Sequence, residues 1–76
     1  MTTIQVHVQE HGGGWRHLGA IVVPGHMMWR PQSGEPDVWD IAHRFGAAMI
    51  RPDERPVFLL STQNGRTVRQ VQGVPD

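Results

Sequence analysis

The residues of this chain best suited to chemistry are histidines. His7, His11 and His17 flank a glycine run in "VHVQEHGGGWRH". If the glycines turn a hairpin, the three imidazoles fall on one face of a two-stranded ribbon, with Gln9 between them. Diagonal neighbours on one face of such a ribbon lie ~7–8 Å apart, within reach of a shared ion. Imidazole is a common ligand of zinc, copper and nickel. One reading is therefore a metal site with His7, His11 and His17 as ligands. The one carboxylate among them, Glu10, is predicted to oppose Arg16 as an ion pair, and a ribbon beside a triple-glycine turn offers little to hold ligands in place. The competing reading is three polar side chains on a surface.

The other reactive residue types are not assembled in sequence. His43 could act as a base, but nothing places it beside Ser33, Ser61, Thr62 or Thr67, the candidate nucleophiles. Asp37 and Asp40 could share a proton as a carboxylate pair. Their place at a helix start is explained equally by capping and by the positive end of the helix dipole. Gly12–Gly14 follows a histidine, as oxyanion-hole glycines do in some esterases, but no Gly-x-Ser-x-Gly accompanies it. No cofactor motif is present. These observations predict a non-catalytic protein without a cofactor.

Composition narrows the remaining classes. The chain has 76 residues, no cysteine and a formal net charge of zero, with seven arginines, no lysine and seven acids. One domain spanning residues 1–76 is expected, burying only ~60–65% of the surface its unfolded form exposes. Disulfides and thiolate metal sites are excluded. The arginines are dispersed in sequence, which argues against nucleic acid, since its binders carry a basic patch. Weak nucleic-acid binding survives only as an alternative in which folding gathers them. No stretch approaches the ~20 apolar residues of a membrane span, and "MTTIQVHVQE" lacks the pattern of a secretion signal. A cytoplasmic protein, bacterial or phage, with no membrane partner is the expectation.

The elements that must position these residues follow from periodicity. Ile4, Val6 and Val8 alternate with Gln5, His7 and Gln9, a half-buried strand. "WRHLGAIVV" returns after the glycines and ends at Pro24-Gly25. With Gly12–Gly14 as a three-residue loop, Val8 is predicted to oppose Leu18, Val6 Ala20 and Ile4 Val22. Residues 37–50 form the only predicted helix, with Asp37 as N-cap and Val38, Ile41, Ala42, Phe45, Ala48 and Met49 as its apolar stripe. Gly46 inside it costs about 1 kcal/mol relative to alanine, which points to a close approach by another element. A second hairpin follows, "VFLLSTQNGRTVRQVQ". Asn64-Gly65 is predicted to form a type I′ turn that pairs Ser61 with Val68 and Phe58 with Val71. The order β-β-α-β-β predicts an α+β fold, one helix packed on a four-stranded, mainly antiparallel sheet.

One helix covers one sheet face, yet more apolar residues are present than that face can take. The far face is expected to gather Trp15, Ile21, Val23 and part of the run Val57–Leu60. "PGHMMWRPQSGEP" reads as a loop, yet it holds Met27, Met28 and Trp29. On the helix, Trp39, His43 and Ile50 fall off the predicted stripe. Uncovered apolar patches mark interaction sites, and methionine and tryptophan suit such surfaces. The leading expectation is thus a protein–protein interaction module, an accessory subunit or homo-oligomer. Trp15, Met27, Met28, Trp29, Trp39, His43 and Ile50 would meet a protein partner or a second copy. The rival is that the Met-Met-Trp loop folds back and caps its own core.

Trp29→Ala separates these two readings. A core cap would leave a cavity and lower stability by ~3–5 kcal/mol. A docking residue would leave the melt within ~0.5 kcal/mol and weaken association by ~2 kcal/mol or more. Thermal melts and association measured on the same variant decide between them.

Overall fold

The computed structural model describes residues 1–29, 34, 37–50 and 55–75. Two strands, β1 (Thr2–Gln9) and β2 (Trp15–Val23), lead into a single helical turn, α1 (His26–Trp29). The main helix α2 (Val38–Ala48) follows, then β3 (Val57–Thr62) and β4 (Val68–Gln72). The sheet runs β2-β1-β3-β4, with every neighbouring pair antiparallel. This is the expected α+β arrangement, with the segment expected as a loop partly wound into α1. No helix among the described residues is long and apolar enough to cross a membrane.

The core lies between α2 and one face of the sheet. Ile4, Val6, Phe58, Leu60 and Val38 are fully buried there, each contributing about 1.5–3 kcal/mol by leaving water. Asp37 caps α2 by accepting a hydrogen bond from the Trp39 amide at 2.9 Å, and Asp40 pairs with Arg44 one turn on at 2.8 Å. Gly46 sets how close the helix sits. A Cβ added there would lie 2.9 Å from Val6 Cγ1 and 3.1 Å from two Phe58 ring carbons. The expected close approach is therefore present.

That approach corrects the predicted stripe. The small residues Ala42 and Gly46 face the sheet with Val38, and the helix turns so that Trp39 is buried as well. Ala48 and Met49, expected in the core, are exposed. Trp39 is thus a core residue and not a surplus, with the Arg69 guanidinium 4.7 Å above its ring.

Hairpin one departs from its predicted register. The loop is His11-Gly12-Gly13, because the Glu10 amide bonds the Gly14 carbonyl at 2.7 Å. His7 opposes His17 and Val8 opposes Arg16, but Val6 opposes Gly19 and Ile4 opposes Ile21. Leu18 is the extra residue, a bulge that turns the rest of β2 over. Ile21 and Val23 consequently face the core, while Ala20 and Val22 face outward, the reverse of the expectation. Gly19 makes room at this point, since a Cβ there would meet the Phe45 ring at 2.9 Å.

Hairpin two keeps its predicted pairs, Ser61 with Val68 and Phe58 with Val71. Its turn is not type I′, because Asn64 does not have the positive φ that such a turn requires. The chain instead closes a longer loop, with the Thr62 amide bonding the Thr67 carbonyl at 3.0 Å. Thr62 Oγ1 is buried and donates to Asn64 Oδ1 at 2.8 Å while accepting from the Thr67 amide at 3.2 Å. These side-chain bonds do the work that a left-handed asparagine would have done.

Gly46→Ala tests the seating of α2. Alanine gains about 1 kcal/mol of helix propensity, but overpacking against two buried side chains costs roughly 1–3 kcal/mol. Urea melts are expected to show net destabilisation. A raised midpoint would mean that the helix does not sit this close.

Candidate functional site

The sheet face turned away from α2 is the largest feature that the core does not use. Strand alternation decides which side chains it carries. β1 presents Thr3, Gln5, His7 and Gln9, and β2 presents Trp15, His17, Ala20 and Val22. β3 presents Val57, Leu59 and Ser61, and β4 presents Val68, Gln70 and Gln72. Val22 is 59% exposed, Val68 54% and Trp15 39%, so no described element lies over them. None of these residues is Asp, Glu, Lys or Arg.

His7 and His17 sit side by side on this face, their rings 4.9 Å apart between centroids. His17 Nε2 donates to Gln5 Oε1 at 2.7 Å. His7 Nδ1 is buried without a hydrogen-bond partner among the described residues. Burial, and secondarily the neighbouring His17, hold the His7 pKa below its ordinary value of 6.5. The cause is direct: a proton on Nδ1 would point at no acceptor and add charge beside a second imidazole.

The predicted three-histidine metal site is not assembled. His11 lies in the turn beyond the strand ends, and no group of three metal-ligating side chains forms among the described residues. The bulge brings His17 directly opposite His7, closer than the predicted diagonal, but supplies no third ligand.

The predicted docking residues are distributed between two places. Trp15 lies on the open sheet face. Met27 and Met28 are half-buried and pack against the core cluster, as does Ile50. The Trp29 side chain lies outside the described residues, as do Ser33 and residues 51–54. His43 Nε2 donates to the Gly73 carbonyl at 2.7 Å, and its ring meets Phe58 edge-on at 5.3 Å. It therefore ties the chain after β4 to the helix. Sequence reading missed Val22 and Val68 as exposed apolar positions. The bulge that exposes Val22 has only Gly19 as its signal in the sequence.

Nothing described assembles a catalytic group. An open depression is lined by Met1, Thr2, Thr3, Thr62, Gln63 and Asn64, and it holds hydroxyls and amides without a base. Compared with protein-family models, with curated proteins and with solved structures, the chain has no match.

The lowered His7 pKa makes stability depend on pH. Above 6.5 both the folded and the unfolded chain keep this imidazole neutral. As the pH falls through that value the unfolded chain takes up the proton first, so stability drops until the folded-state value is passed. Urea midpoints are expected to be lower at acid pH than at neutral pH. His7→Gln should remove this part of the slope, and an identical slope in the variant would assign it to other groups.

Proposed function

We propose that the protein is a non-catalytic interaction module that docks through the open face of its sheet. The observation that carries this reading is the absence of formal charge among the described residues of that face, in a chain whose composition is 18% charged. Ordinary protein surface is rich in charged residues, and their depletion with retention of aromatic and aliphatic groups marks the core of an interface. The residues concerned are Trp15, Val22, Val57, Leu59 and Val68, with glutamine and histidine between them.

Shape supports the same reading. The domain measures 38 × 27 × 15 Å, thin because the sheet carries a helix on one side only. Its accessible surface is 5242 Å², against ~4,700 Å² for a compact chain of this mass. Phosphate groups find no arginine on this face, so the reading favours a protein over a nucleic acid.

In vivo photo-crosslinking tests the proposal. A photoreactive residue at Val22 or Val68 is expected to give a protein adduct of discrete mass, while the same residue at Arg44 on the exposed side of α2 gives none. If neither sheet position yields an adduct, the docking reading is lost.

A further inference from the structure

We infer that the occupant of the open sheet face is the same face of a second copy of this chain, packed sheet to sheet about a twofold axis. The inference rests on the docking reading above and adds the partner's identity. Three properties of the face carry it.

The first is electrostatic. A twofold contact sets the face against its own copy, so a face carrying net charge of one sign repels itself. This face has no Asp, Glu or Arg to do so, and burial keeps His7 neutral at neutral pH. The second is hydrogen bonding. Glutamine carries both donors and an acceptor on one side chain, and serine a hydroxyl that does both. Gln5, Ser61 and Gln70 can therefore each donate or accept across the axis, which helps the patch to be self-complementary as a whole, as an isologous contact requires. A partner chosen for its charge would find nothing here to pair with.

The third is area. Four strands ~4.8 Å apart, of 8, 9, 6 and 5 residues at ~3.3 Å each, give a footprint of about 440 Å² per copy, or ~900 Å² in total before side-chain relief is added. That size belongs to the weak, transient end of specific interfaces. It fits a dimer that dissociates in the micromolar range, in keeping with the many amides on the face.

Sedimentation of the whole chain from roughly 1 to 500 μM, a range bracketing such affinities, tests the inference. The parent is expected to pass from monomer to dimer. Ser61→Glu and Ser61→Lys each place like charges in the contact and should weaken the dimer at least ~30-fold, while an equimolar mixture of the two should associate again. Ser61 is on an inner strand. If either variant melts without cooperativity, Gln70→Glu and Gln70→Lys on the exposed edge strand β4 repeat the test with the same expectations. A parent that stays monomeric throughout overturns the inference. So does a dimer that neither charge pair weakens. A monomeric parent whose Val22 and Val68 probes crosslink a different protein removes the homodimer and leaves the docking reading standing. Absence of both association and adducts removes both.

Discussion

The seating of Gly46 on Val6 and Phe58 is the contact on which the rest of the structure depends. It joins α2 to the two inner strands at their closest point, where a single methyl would already crowd both. Once that contact is made, the rotation of the helix is fixed. Ala42 and Val38 follow Gly46 along the sheet, Trp39 is carried into the core beside Arg69, and His43 is left within reach of the Gly73 carbonyl. The ion pair between Asp40 and Arg44 falls on the solvent side by the same rotation. Exposed pairs of this kind contribute at most about 1 kcal/mol, so it accompanies the packing and does not direct it.

Concentrating the buried apolar side chains on one side of the sheet has a corollary on the other. Charges are present on α2 and in the turns, and Arg16 and Arg69 stand on strands, but on the helix-facing side. The open face is thereby without formal charge among its described residues, its apolar side chains interspersed with glutamine, histidine and hydroxyls. A face that only had to stay wet would be polar throughout, as antiparallel sheets with one solvated side generally are, whereas this one also carries Trp15, Val22, Val57, Leu59 and Val68. The neutrality is a property of placement, since those of the chain's seven arginines and seven acids that stand on described elements lie elsewhere.

Period and punctuation made much of the fold legible. Alternation in β1, the Asp37 cap, and the pairs of hairpin two were all readable, because each depends on residues near one another in sequence. Three things were not. The bulge at Leu18 is set by Gly19 meeting Phe45, a contact between a strand and a helix that no local pattern encodes. The rotation of α2 follows from the smallest residue on it, whereas an apolar stripe is read from the largest, so Trp39 and Ile50 looked surplus. The turn at Asn64 is held by Thr62, whose hydroxyl substitutes for the expected backbone geometry. The candidate site suffered from the first two errors. Its apolar members Val22 and Val68 became visible only once strand facing was known. Met27 and Met28, conspicuous in sequence, proved to pack against the core.

Strand order has a consequence for how the chain emerges from a ribosome. β1 lies inside the sheet, yet its second neighbour, β3, is encoded after α2. Hairpin one can close as soon as Val23 has left the exit tunnel. The other edge of β1, with Ile4, Val6 and Val8 beside it, then waits for Val57 to follow, roughly 2–7 s later at ~5–20 residues per second. During that interval the growing polypeptide displays a two-stranded ribbon with one apolar side and two unpaired borders. Such a ribbon is an adhesive template for neighbouring nascent chains.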